Sequence, residues 1–244
     1  MLNLFDQLVA MVATNDLLKA GPIGACLIAA WVLGRTVQQT REYRRRLLLV
    51  LLAAFCTVMI TKVTSRWFAY PRPYVLSQTA YRISNDQLVA YPKEEVRAPQ
   101  AEDSKERWAK FEAGFISSND WESFPSDHAG FFGCLAFGLL WIYRPIGIIA
   151  MSWTLLVILP GKLLRGLHRP ADLLAGLAIA LVVLLLWRML DRQKPFEILG
   201  RWCEQQNALA TGVFFLMAME VASTLDHLQD FALAARGIVR TMIQ

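Results

Sequence analysis

Apolar residues fall along the chain in long blocks separated by short connections that carry Arg and Pro. Six blocks, at 18–34, 47–67, 127–143, 146–166, 171–189 and 207–224, approach the roughly 20 residues an α-helix needs to cross a bilayer. The sixth is the weakest, because Glu220 lies inside it. Ahead of the first block, Leu2, Leu4, Phe5, Leu8, Val9 and Val12 recur at helical spacing, which predicts an amphipathic surface helix over 1–15. Tyr143-Arg144-Pro145 and Leu167-His168-Arg169-Pro170 are tight connections, so the helices they join are antiparallel neighbours. Pro71 and Pro73 stop the second helix beside the interfacial aromatics Trp67, Phe68 and Tyr70. The polar stretch 74–124, of both charge signs, is long for a structureless loop and predicts a partly helical lid or binding loop. The predicted fold is all-α: an integral membrane bundle of about six transmembrane helices with an amphipathic N-terminal helix and a polar loop between spans two and three. Residues 1–190 form its core, and 191–244 add a C-terminal span and an amphipathic tail.

Composition agrees with that pattern. Of 244 residues 55% are hydrophobic and only 18% charged, against roughly 45–50% and about 25% in soluble domains. With a net charge of only +5, disorder and nucleic-acid binding are poor readings. Cys26, Cys56, Cys134 and Cys203 form no CxxC pair and no disulfide framework or zinc site. The first residues lack an early Lys or Arg and an A-x-A-like site, unlike a cleaved signal peptide. Arg35, Arg41, Arg44, Arg45 and Arg46, then Arg144, then Arg188, Arg192, Lys194 and Arg201 fall on one side if six spans alternate, and that side is cytoplasmic. The 74–124 loop and the 167–170 turn then share the outer face.

Three segments on that outer face carry chemistry. In the turn before the fifth span, Pro170 suits a first helical turn, which sets His168 at the helix start and Asp172 within reach of its imidazole. A carboxylate on one ring nitrogen makes the other a better nucleophile; the plainer alternative is a helix-start carboxylate beside an interfacial histidine. In Phe124-Pro125-Ser126-Asp127-His128, a helix N-terminus offers N–H groups to an anion such as phosphate, Ser126 can donate a hydrogen bond, and His128 can give a proton to a leaving oxygen. An N-cap Ser126 with Asp127 in the first turn accounts for those two residues without chemistry. Arg72, fixed between two prolines, suits bidentate phosphate binding, or snorkels at the interface. Lys162 and Arg165 add positive charge at the outer end of the fourth span.

The order Arg-Pro, then Pro-Ser-x-His at a helix start, then His-x-x-x-Asp before a helix resembles the type 2 phosphatidic acid phosphatase superfamily. The FPSDH form is similar to its bacterial undecaprenyl pyrophosphate phosphatase branch. The resemblance covers 1–190 and implies a metal-independent, cofactor-free reaction. His168 would attack phosphorus, Asp172 orient it, and His128 protonate the leaving group. Arg72, Ser126, Asp127, Lys162, Arg165 and Arg66 make up the expected phosphate-binding set. Two positions depart from the family pattern. Ser65 stands where a Lys usually precedes the motif Arg by seven residues, with Lys62 and Arg66 nearby, and Gly161-Lys162 stand where Ser-Arg usually precede the histidine. Lys162 keeps the charge without the bidentate fork. Both departures touch the phosphate clamp rather than the nucleophile.

The resemblance implies a membrane lipid phosphatase of the bacterial inner membrane, with its site on the periplasmic or outer face and a phosphohistidine intermediate. The expected partners are a lipid phosphate, undecaprenyl diphosphate first, and the surrounding membrane lipids. The alternatives are a lipid phosphotransferase, a non-catalytic lipid-phosphate binder, and a metal site of His128, His168 and Asp172, which Arg72 and Lys162 disfavour.

Overall fold

A computed structural model describes residues 4, 15–68, 70, 72–73, 82–84, 87–89, 122–191 and 193–222. Among the described residues seven helices make up the bundle: α1 (Asp16–Val32), α2 (Val37–Phe68), α3 (Asp127–Ile142), α4 (Arg144–Leu164), α5 (Pro170–Met189), α6 (Lys194–Gln205) and α7 (Asn207–Ala222). Three of them, α2, α4 and α5, are long and apolar enough to cross a membrane. The apolar parts of α1, α3 and α7 are shorter, at 10–17 residues. The amphipathic helix expected over 1–15 and the tail beyond α7 lie outside the described residues, Leu4 excepted.

The described part of the long polar loop includes a short hairpin, and the expected helical part lies outside the described residues. Arg82–Ser84 (β1) and Gln87–Val89 (β2) pair antiparallel, with Arg82 opposite Val89. The remainder of that loop up to 121 is outside the described residues. Helix α6 also falls where the sequence reading has only a connection. Its one-sided pattern of apolar and charged residues, with Gly200 and Cys203 buried, is that of a helix lying against the bundle.

Helix α2 starts ten residues before its apolar block, because Gln, Glu and Arg are good helix formers and continue the helix past the apolar segment. Those added turns carry the arginines, which tie the end of the bundle opposite the site. Arg45 and Arg46 each reach one oxygen of Asp191, at 3.0 and 3.1 Å, and Arg41 pairs with Glu204 on α6. Helix α7 docks on α1 through Trp31, which stacks on Phe214 at 4.1 Å and donates to Thr211 Oγ1 at 3.1 Å.

At the centre, α3 packs between α2 and α5, and small residues set the spacing. A Cβ on Gly176 would stand 2.4 Å from the Ser126 carbonyl oxygen, so glycine there lets the start of α3 touch α5 backbone to side. Within α4, residues Thr154–Ile158 wind as a π-helix just before Pro160. Proline has no N–H to give and its ring crowds the preceding turn, and the wider π turn accommodates both.

Candidate active site

The three motif segments are stitched to one another at one end of the bundle. The Ser123 N–H donates to the Tyr70 carbonyl at 3.0 Å, and the Ser126 N–H to the Asp172 carbonyl at 3.0 Å. Ser123 Oγ donates to Asp172 Oδ2 at 2.6 Å, and Arg169 reaches the Tyr70 hydroxyl at 2.8 Å. Ser123, fully buried, is therefore the hub, and the sequence reading missed it. Its position one residue before Phe124-Pro125 carries no signal of its own; only the fold brings it between the other two motifs.

His168 is placed by the end of α4. Gly166, at φ 62°, closes a Schellman turn in which the Leu167 N–H reaches the Lys162 carbonyl at 3.1 Å and the Gly166 N–H that of Leu163 at 2.9 Å. The chain reverses there, and Pro170 opens α5 two residues after His168. The buried imidazole sets Nδ1 at 2.9 Å from the Ser123 carbonyl oxygen. A carbonyl only accepts, so Nδ1 carries the proton and Nε2 keeps its lone pair. This corrects the expected His168–Asp172 hydrogen bond: the nearest Asp172 oxygen is 3.9 Å away. That oxygen accepts instead from Ser123 Oγ and from the Arg169 N–H at 2.8 Å, the second being the capping role of an acidic residue in a first helical turn. Asp172 thus acts on His168 through Ser123.

Burial first, and then the charge of Arg72, push the His168 imidazole down from its ordinary value to about 3. The neutral, nucleophilic form then holds through the ordinary range, and protonation removes the lone pair only in strong acid. We expect the His168 ring resonance in a histidine-labelled sample to stay at its neutral position from about pH 5 to about pH 8, the range in which an unperturbed imidazole titrates. A midpoint near the ordinary histidine value would contradict this placement.

His128 begins α3 and pairs with its neighbour: Nδ1 lies 2.7 Å from Asp127 Oδ1. Ser126 caps the helix, its Oγ accepting from the Ala129 N–H at 3.3 Å, and Asp127 Oδ1 also accepts the His128 N–H at 2.7 Å. The His128 and Ala129 N–H groups, expected to greet an anion, are thus bonded within the motif. Ser126 retains a hydroxyl proton to donate. Asp127 also departs from its expected place in the phosphate-binding set. A carboxylate has no donor for phosphate, and this one holds His128 on one oxygen and Lys62 Nζ, at 3.1 Å, on the other. Lys62 also bonds Glu122 at 3.1 Å, and Arg66 bonds Glu122 at 3.3 Å. The Arg66 side chain is 75% exposed, so Arg66 belongs to the rim and Lys62 to the site. Glu122 and the Lys62–Asp127 link were missed, because charge partners 60 or 65 residues apart leave no local pattern.

The cationic side is formed by Arg72, Lys162 and Arg165. Arg72 Nε is buried and has no hydrogen-bond partner among the described residues, and its charge bears on both His168 and Lys162. Lys162 is buried at the end of α4, and Arg165 caps that helix beside it. One ring nitrogen of His128, one of His168 and an Asp127 oxygen all lie within 4.8 Å of one another. Two imidazoles, one with a free lone pair and one held by a carboxylate, face a set of fixed cations: an arrangement suited to moving a phosphoryl group.

A model of the PAP2 superfamily matches residues 45–195, more than half of the chain and all three motif segments. The chain belongs to the PAP2 superfamily. No individual curated protein and no solved structure matches it. PAP2 members are phosphatases, so this chain is read as a phosphoester hydrolase whose three long apolar helices can span a membrane. Its two departures from the PAP2 pattern now have a geometry. Ser65 is buried and bonds back to the Lys62 carbonyl at 2.9 Å, while Lys62, one helical turn earlier on the same face, sends its ammonium to Asp127. At the other departure Lys162, buried at the end of α4, lies within electrostatic reach of Arg72. Asp127, His128 and His168 could offer three ligand atoms to a metal, but Lys62 already sits on the same carboxylate and would repel a cation.

Proposed function

We propose that this PAP2 protein is a membrane lipid phosphatase of about six spans that cleaves a lipid diphosphate or monophosphate, undecaprenyl diphosphate first, at the outer face of a bacterial inner membrane. The observation that carries the reading is the fixed tautomer of His168, whose Nε2 is left with its lone pair while one of its ring nitrogens lies within 4.8 Å of the Asp127–His128 pair. In the first step Nε2 of His168 attacks phosphorus, and the bond from phosphorus to the leaving oxygen breaks. That oxygen takes its proton from His128, whose charged form the Asp127 carboxylate supports. In the second step water attacks the phosphohistidine, gives its proton to His128, and the P–N bond breaks to release inorganic phosphate. Arg72, Lys162, Arg165 and Ser126 hold the phosphoryl oxygens, and their positive charge stabilises the oxygens as charge develops.

A lipid substrate is supported by the apolar exteriors of α2, α4 and α5, which keep an isoprenoid or acyl chain in the bilayer while the phosphates reach the bundle's end. The outer face is supported by Arg35, Arg41, Arg44, Arg45, Arg46 and Arg188, which cluster at the opposite end of the helices. The test is phosphate release from undecaprenyl diphosphate and from phosphatidic acid by the purified protein in detergent with a chelator present. The expected result is release from at least the diphosphate, unchanged by the chelator, with no phosphorylated acceptor on thin-layer chromatography. Release that the chelator abolishes and zinc restores would overturn the metal-free chemistry, and release from neither lipid would overturn the hydrolase reading.

A further inference from the structure

The arginines at the end of the bundle opposite the site are not all used alike. Arg45 and Arg46 both take Asp191. Arg35 and Arg44 have no carboxylate partner among the described residues, and Arg41 pairs with Glu204 yet leaves its Nε buried and without a hydrogen bond. These last three arginines line one cavity of about 370 Å³, enclosed by the α1–α2 turn, the first turns of α2, helix α6 and the start of α7. Its walls are held in place. The Arg35 N–H donates to Gln39 Oε1 at 3.0 Å, and the Gln39 N–H to Thr36 Oγ1 at 3.1 Å. A Cβ on Gly34 would stand 2.6 Å from the Thr40 nitrogen, so glycine is what lets the turn lie against the start of α2. Arg44 donates through Nη1 to Asn207 Oδ1 at 2.5 Å and lies over the Trp31 ring, 4.8 Å from its centroid.

Of the residues lining this cavity only Glu204 is acidic, so three guanidinium groups surround one carboxylate and the lining carries an excess of positive charge. A phosphate-bearing anion balances that excess, and guanidinium groups suit its oxygens. Val37 lines the same cavity with 69% of its surface exposed, and Val32, just before the turn, is exposed as well. Apolar surface beside a cationic cavity at the helix ends suits an amphiphile, whose phosphate enters the cavity while its chains lie along the helices; a free phosphate leaves that surface uncovered. We propose that this cavity binds the phosphate headgroup of an anionic glycerophospholipid in the leaflet opposite the active site. Gly200, Glu204 and Asn207, which form its far wall, lie beyond the matched residues 45–195, so the bound lipid joins the C-terminal helices to the core. The inference rests on the helices spanning a membrane and not on the phosphatase reading, so a protein that turns over no lipid still decides it.

The experiment displaces a fluorescent phosphatidylglycerol from the full-length, delipidated protein in detergent. The competitors are unlabelled phosphatidylglycerol, phosphatidylcholine with the same chains, and inorganic phosphate, each with wild type, Arg35→Gln and Glu204→Gln. In the wild type phosphatidylglycerol is expected to displace the probe well, phosphatidylcholine poorly, and phosphate only at far higher concentration. The Arg35 side chain is exposed and makes no hydrogen bond or ion pair among the described residues, so Arg35→Gln leaves the fold intact. It is expected to weaken phosphatidylglycerol by about fivefold, the effect of one basic residue beside an anionic headgroup, and to leave phosphatidylcholine unchanged. Glu204→Gln removes the competing carboxylate and is expected to tighten phosphatidylglycerol. Equal displacement by the two lipids, an unchanged affinity in Arg35→Gln, or weaker binding by folded Glu204→Gln would overturn the proposal. Phosphate that displaces the probe as well as the lipid does would overturn the headgroup assignment in favour of a free-anion site.

Discussion

Replacing His168 with alanine is expected to lower phosphate release by about 10⁴-fold or more, because the proposed covalent intermediate forms on its Nε2. The alanine variant also leaves the Ser123 carbonyl without its buried donor, a loss of about 1–3 kcal/mol. The local structure should survive that loss, since the Ser123 N–H still bonds Tyr70 and its hydroxyl still bonds Asp172. His168→Gln separates the two effects. Its amide can donate to Ser123, which restores the thermal midpoint, but it has no nucleophilic nitrogen and stays inactive. Steady-state phosphate release together with thermal unfolding checks both parts. Turnover by either variant within about tenfold of wild type would remove His168 from the reaction.

The second large effect is expected at His128. His128→Gln should lower kcat by about 10²- to 10⁴-fold on lipid substrates, whose departing oxygen needs a proton. The same variant should lose much less on p-nitrophenyl phosphate, because p-nitrophenolate departs without one. Asp127→Asn should follow the same pattern in weaker form, since the carboxylate supports the charged imidazole across 2.7 Å. Equal losses on the two kinds of substrate would assign His128 to binding rather than to proton delivery.

Much of this was legible in the sequence because it is written locally. The helical blocks from 18 to 224 fall on α1 to α5 and α7, and the tight turns at 143–145 and 167–170 are where helices reverse. His168 and His128 stand together because each follows directly from a helix boundary that proline or an N-cap marks. The illegible parts are those set by packing between distant segments. The capping demand of α5 draws Asp172 to the Arg169 N–H, and Ser123, 45 residues before His168, takes the place that the sequence gives to Asp172. Asp127 looks like part of an anion site until its partners at 62 and 128 are seen. Arg66 and Lys62 share one helix end, and only the approach of Glu122 and Asp127 shows which of them faces inward.

The central claim is that the phosphoryl group rests on His168 between two displacements. The stereochemical course at phosphorus tests it most directly, with a substrate whose terminal phosphorus is made chiral by oxygen isotopes and sulfur, hydrolysed by the wild-type protein. Two in-line displacements, first by Nε2 of His168 and then by water, give net retention, which is the predicted result. Net inversion would mean that water attacks the substrate in a single step, and would contradict the phosphohistidine account.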